Sequence, residues 1–269
     1  MTTIVAPRRP PKRRSQPARA VRDAMSITGR NLITYRRVPE LLVFSTIQPV
    51  VFVLLFVYVF GGAIRVPGGL PYVDFLMPGI FVQTVVFGAI ATAVGLATDV
   101  KSGLMERFRS LPMARSAVLA GRTLADLTRN VFVVILMAVV GFLVGFRVQT
   151  SWWEFVLGLL LILLFAYAMS WVFATVGLFV GDPETAQAAA FPVMAPLVFA
   201  SSAFVPVSTM PGWLQPWAKY QPVSATASAA RALMVGGPLE PYLWLALAWA
   251  AGIILICAPL AIRKYRRLV

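Results

Sequence analysis

Six runs of apolar residues, each about twenty residues long, constrain this chain more than any other feature: they cover 41–64, 75–98, 127–146, 155–180, 186–205 and 242–262. A hydrocarbon core of about 30 Å is crossed by roughly 20 residues of α-helix rising about 1.5 Å each. Inside it every backbone N–H and C=O must find a partner, and a helix supplies those partners within one segment. The expected fold is therefore all-α, a polytopic membrane protein with six transmembrane helices. Composition agrees: 59% of the 269 residues are hydrophobic and 13% are charged, where a soluble domain has about half and about a quarter.

Charge placement then orients the runs. With both termini inside, ten Arg and Lys precede Leu41, six lie between Thr98 and Val131 and four follow Ile262, whereas Arg65, Arg147, Lys219 and Arg231 alone fall outside. Such asymmetry marks cytoplasmic loops, so both termini are expected to be cytoplasmic. The net charge of +14 is then mostly topology, and no nucleic-acid partner is expected. Residues 1–17, with PRRPPKRR at Pro7 to Arg14, read as a disordered basic tail on anionic headgroups, and the membrane domain as 18–269. From Ala18 to Tyr35, Val21, Met25, Thr28 and Leu32 recur at helical spacing, which predicts an amphipathic interfacial helix limited by Pro39.

Several kinds of chemistry lack their residues. There is no His and a single cysteine, Cys257, so neither a zinc site nor an internal disulfide is expected. A phosphate-binding loop needs Gly-Lys-Ser/Thr, yet the only Lys followed by Ser or Thr, Lys101, follows Val100. No cofactor or metal is expected in this chain, and no ATP hydrolysis by it alone. Arg129 at the head of the third run counts with the inner basic residues; the runs carry no other ionisable side chain. An ion-coupled carrier and a membrane-embedded enzyme are disfavoured, since both need such groups at depth.

The segment 99–122 stands out on the inner face. Asp99, Gly103 and Glu106, four and three apart, would share one helical face, with Arg107, Arg109, the Leu111-Pro112 break and Arg115 beside it. That surface suits charge-assisted contacts with a soluble protein. A solvated loop obeying the positive-inside rule fits the composition equally well.

The run DVKSGLMERFRSLPMAR at Asp99 to Arg115 resembles the segment after the second span in permeases of the ABC type-2 transporter family. A second run, AFPVMAPLVFASSAFVP at Ala190 to Pro206, followed by MPGWLQ at Met210 to Gln215, is similar to that family's fifth span and the region beyond it. Within the family the likeness is closest to the bacterial daunorubicin-resistance permease group, and it extends from about Val21 over nearly all of the chain. It implies a half-transporter that pairs with a second permease chain, identical or paralogous, above separate cytoplasmic ABC ATP-binding subunits that hold ATP and Mg. It further implies a coupling helix at about 99–110, where Asp99, Gly103, Glu106, Arg107, Arg109, Pro112 and Arg115 meet the ATP-binding subunit, Gly103 allowing close approach and Pro112 ending the helix.

Between the fifth and sixth spans, 206–241 is implied to be a re-entrant outer segment of short helices, with Trp213, Trp217 and Tyr220 as interface anchors. Relatives often carry an acidic residue just before the arginine matching Arg231. Here Ser228, Ala229 and Ala230 stand there, so no ion pair is carried over to Arg231. The family's path follows the second and fifth helices, which brings in Gln83, Thr84, Phe87, Phe191, Phe199, Ser201 and Ser202. Uncharged polar groups among aromatics suit an amphiphile; as readily they hydrogen-bond neighbouring helices or their own carbonyls. Pro192 and Pro196 are expected to kink the fifth span. The implied function is the permease subunit of an ATP-driven exporter of hydrophobic antibiotics or other amphiphiles, with export of a cell-envelope lipid or glycolipid as the alternative.

Overall fold

The structure, a computed structural model, describes residues 40–64, 66, 69–103 and 115–268. The basic tail and the expected interfacial helix lie outside them. The elements are α1 (Glu40–Leu54, running on as a π-helical turn Leu55–Phe60), α2 (Tyr72–Lys101), α3 (Arg115–Val144), α4 (Trp152–Val180), α5 (Pro183–Phe199), a 3-10 turn (Val207–Thr209), α6 (Gln215–Tyr220), α7 (Pro222–Val235) and α8 (Tyr242–Leu268). Among the described residues there is no strand.

Four of the six runs are helices long and apolar enough to cross a membrane: Tyr72–Lys101, Gly121–Val144, Trp152–Val180 and Tyr242–Arg267. The first and fifth are shorter. α1 contains Pro49, which lacks a backbone donor, and the chain rewinds into the π-helical turn six residues later. α5 holds both Pro192 and Pro196 and stops at Phe199, so the expected run to residue 205 finishes as turns.

The third run departs furthest from expectation. Its helix begins at Arg115 rather than near Leu127, which adds Arg122 and Asp126 to the helix ahead of Arg129. They are tolerated because each has a partner on α2. Arg122 pairs with Asp99 at 2.5 Å, Thr92 donates to Asp126 at 2.6 Å, and Arg129 donates to the Gly88 carbonyl at 2.6 Å. Charge therefore marks a seam between two helices here, where the sequence suggested a loop.

Local signals set the other ends. At the start of α4, Ser151 Oγ accepts from the Glu154 N–H at 3.2 Å while Glu154 Oε2 accepts from the Ser151 N–H at 2.9 Å, a reciprocal capping box. Gly181 ends the helix at φ 72°. Asp182 then caps α5 by accepting from the Thr185 N–H at 3.1 Å, with Pro183 at the first helical position.

α2 is the central post. Leu76, Met77, Ile80, Phe81, Val82, Val85, Val86 and Ala89 are all fully buried, between α3, α4, α5 and α7. Lipid tails are as apolar as these side chains, so close packing holds such helices together more than exclusion from water does. Gly177 of α4 makes that packing possible, since a Cβ there would lie 2.3 Å from the Ala93 carbonyl oxygen. α8, by contrast, buries only a stripe, Ala246, Ala250, Ala261 and Tyr265, and turns Leu255 and Ile256 outward as a lipid-facing helix would. Trp152, Trp153, Trp213, Trp217 and Trp244 are exposed, as amphipathic rings at the headgroup level would be.

Candidate functional site

Where α1, α2 and α3 meet, a cleft of about 120 Å³ opens, lined by Gln48, Pro49, Gln83, Thr84, Phe87, Gly88, Ala91 and Arg129. Gln48 and Pro49 come from α1, Arg129 from α3 and the rest from one face of α2. Thr84 satisfies its hydroxyl on its own helix, donating to the Ile80 carbonyl at 2.7 Å. Gln83 is 1% exposed, and its Oε1 has no hydrogen-bond partner among the described residues. Arg129 is 6% exposed and reaches the Gly88 carbonyl. Gly88 leaves room for that approach: a Cβ would stand 3.2 Å from Arg129 Nη2 and 3.1 Å from Asn130 Oδ1. The neighbouring Asn130 Nδ2 is also buried and unpaired among the described residues. Phe87 supplies the apolar wall, with the Phe52 ring 6.4 Å away.

A second polar cluster ties one end of the helices together. α2 stops at Lys101, and Gly103 turns the chain at φ +67°, a backbone state that costs other residues strain. Asp99 and Arg122 join α2 to α3, both only about a fifth exposed. Lys101 reaches Asp182 at 2.7 Å and so joins α2 to the α4–α5 turn. The Lys101 ammonium, bonded to Asp182, holds that carboxyl at about 2, with the Thr185 N–H and hydroxyl adding to the effect.

The arrangement is a helical bundle with a polar cleft in its apolar interior and charged ties at one end. A family model described as ABC-2 type transporter matches residues 22–235. The chain belongs to the ABC-2 type transporter family. It is 35% identical over 253 residues, 93% of this chain and 89% of the relative, to a daunorubicin resistance ABC transporter permease protein of Streptomyces coeruleorubidus. It is 28% identical over 265 residues, 98% of this chain and 95% of the relative, to a probable doxorubicin resistance ABC transporter permease protein of Mycobacterium tuberculosis. Family membership and the apolar helices together make it a multi-pass membrane permease.

Against that family frame, the residues singled out in the sequence divide. Gln83, Thr84 and Phe87 come together in the cleft. Phe191 and Phe199 do not; they lie on α5, 57% and 50% exposed, and Phe199 stacks on Phe204 at 6.0 Å. Ser201 and Ser202 are buried in a joint between residues 200–206 and α7. Ser201 Oγ donates to the Val198 carbonyl at 2.6 Å, and the Ser202 N–H donates to Ser224 Oγ at 2.9 Å. The joint is completed by Arg231, which donates to the Ser202 and Phe75 carbonyls at 2.9 Å and lies over the Phe75 ring at 3.8 Å. Carbonyls take the place of a carboxylate, in keeping with the alanines before it.

In the segment expected to couple, Asp99 and Gly103 do not share a helical face, because the helix ends between them. Asp99 is committed to Arg122, and Arg115 opens α3. Glu106, Arg107, Arg109 and Pro112 lie outside the described residues. The sequence reading passed over Gln48 and the partnering of Arg129. A signal for the second existed: Arg122, Asp126 and Arg129 are four and three apart, the spacing of one helical face.

Proposed function

We propose that this chain is the membrane permease subunit of an ATP-driven ABC exporter, and that it moves hydrophobic antibiotics or other amphiphilic drugs by alternating access. The likeness to daunorubicin and doxorubicin resistance permeases over more than nine-tenths of the chain carries the reading. The cleft supports it, since a few polar groups in an apolar, aromatic wall are what an amphiphile's path requires. Energy comes from a separate cytoplasmic subunit that binds ATP and Mg. That subunit pushes on the segment 99–122, where Glu106, Arg107 and Arg109 meet it, and the ties Asp99–Arg122 and Lys101–Asp182 pass the push to three helices at once.

A second permease chain, identical or paralogous, completes the path in the bacterial inner membrane, with both termini cytoplasmic. The aromatic face of α5, with Phe191 and Phe199 open, supports such a pairing. Co-purification with an ABC ATP-binding subunit tests the proposal, with ATP hydrolysis read as daunorubicin is added. Association and a drug-stimulated rate are expected. A chain that captures no ATP-binding subunit, or a rate indifferent to every amphiphile offered, overturns it.

A further inference from the structure

Past Ile262 the last helix, α8, turns from apolar to basic, with Arg263, Lys264, Arg266 and Arg267 close together. Leu260, Arg263, Lys264 and Arg267 follow the i, i+3, i+4, i+7 pattern of one helical face. That face meets Phe179 at the end of α4, and together these residues line a groove of about 260 Å³. A water's share of liquid volume is about 30 Å³, so the groove is no packing void. Its floor is apolar and open: Phe179 is 59% exposed and Leu260 42%, and Ile256, one turn earlier on the same stripe, is 63% exposed. The groove shares no residue with the cleft between α1, α2 and α3.

The cations of the groove lack a counter-charge. Elsewhere in the bundle Lys101 and Arg122 are matched by Asp182 and Asp99, but no carboxylate among the described residues pairs with Arg263, Lys264 or Arg267. Like charges three and four apart on a helix repel one another. The C-terminal end of the helix dipole supplies about half a negative charge, too little to balance them. Lys264 sets its ammonium over the Phe179 ring, 4.8 Å from the centroid, which leaves the two guanidinium forks with all their donors free for an anionic oxygen. From the stripe, the missing counter-charge and the open apolar floor, we infer that this groove binds an anionic phospholipid of the surrounding bilayer. Its phosphate sits among Arg263, Lys264 and Arg267, and an acyl chain lies along Phe179, Leu260 and Ile256. A zwitterionic head fits less well, because it brings an ammonium into a cluster of cations. Only membrane placement is needed for this, whatever the chain moves.

Full-length permease in nanodiscs of phosphatidylcholine with a minor share of phosphatidylglycerol provides the test, with native mass spectrometry counting the lipid each chain keeps on release. Wild type is expected to keep phosphatidylglycerol in preference to phosphatidylcholine. Arg263→Gln and Arg267→Gln are each expected to lower that retention about fivefold. Arg266→Gln removes the same charge from a residue outside the groove and is expected to leave retention nearly unchanged. Phe179→Ala alters no charge and is expected to weaken retention as well, which keeps the site refutable if a charge variant fails to insert. Equal losses from Arg266→Gln and Arg267→Gln would mean a general basic collar and overturn the site. Equal retention of the two lipids, or wild-type retention by Phe179→Ala, overturns it too. Displacement by inorganic phosphate alone overturns the lipid, and displacement by an ABC ATP-binding subunit assigns the face to a protein partner and overturns the lipid likewise. A permease that keeps phosphatidylglycerol through these residues yet moves no drug counts against the exporter reading and leaves the lipid site standing.

Discussion

Replacing Gly177 by alanine should loosen the central helix pair of the bundle. The added Cβ would stand 2.3 Å from the Ala93 carbonyl oxygen and 2.9 Å from its carbonyl carbon and Cα, where ordinary contact begins near 3.4 Å. The obstacle is backbone on α2, which no rotamer change relieves, so α2 and α4 must part by about 1 Å. Overpacking of this kind costs about 1–3 kcal/mol, more than the gain of up to about 1 kcal/mol that alanine brings as a better helix former. Gly252 of α8 is the control, since a Cβ there meets nothing within 4 Å and only the propensity gain remains. At about 2–4 °C per kcal/mol, Gly177→Ala should lower the melting temperature of the detergent-solubilised chain by several degrees while Gly252→Ala leaves it equal or slightly higher. The two variants moving in the same direction by the same amount would refute the reasoning that backbone contact between α2 and α4 organises the bundle.

Other expectations follow from the inner face. Asp99→Asn and Arg122→Gln, singly and together, should give a coupling energy of about 0.5–3 kcal/mol in a double-mutant cycle on thermal or denaturant unfolding, because the pair is largely screened from water. Charge reversal at Glu106 or Arg107 should abolish drug-stimulated ATP hydrolysis by the assembled complex while the chain still inserts; normal stimulation would make the segment a loop only. Asp182 titrates at about 2 in the folded chain against an ordinary 3.8. Its contribution to stability is therefore complete above about pH 4 and is lost as pH falls toward 2. Melting curves of wild type and Asp182→Asn should differ at neutral pH and converge at the acid end.

Much of this was legible in the sequence, and the reasons are physical. Length and hydropathy placed the four full spans, because the bilayer's thickness fixes how many apolar residues a helix must have. Both ends of α4 and the start of α5 are written as Ser151 with Glu154 and as Gly181, Asp182 and Pro183. Gln83, Thr84 and Phe87, expected along a substrate path, line one cleft because they share one stretch of α2. Harder to see was the start of α3. A composition rule treats Arg122, Asp126 and Arg129 as loop charges, whereas Asp99, Thr92 and Gly88 on another helix receive them. Long-range partners of that kind leave no mark in local sequence. Of the two readings open for Ser201 and Ser202, the hydrogen bonds to Val198 and Ser224 agree with the structural one, and Ser224 lies outside any local pattern.

The exporter reading requires this chain to transport on energy supplied by another. Inside-out membrane vesicles containing the chain and its ATP-binding subunit, followed by the accumulation of a fluorescent amphiphilic drug, test it most directly. The account predicts accumulation that needs both chains and ATP and survives collapse of the ion gradients. Accumulation by this chain alone, sustained by an ion gradient with ATP depleted, would contradict it.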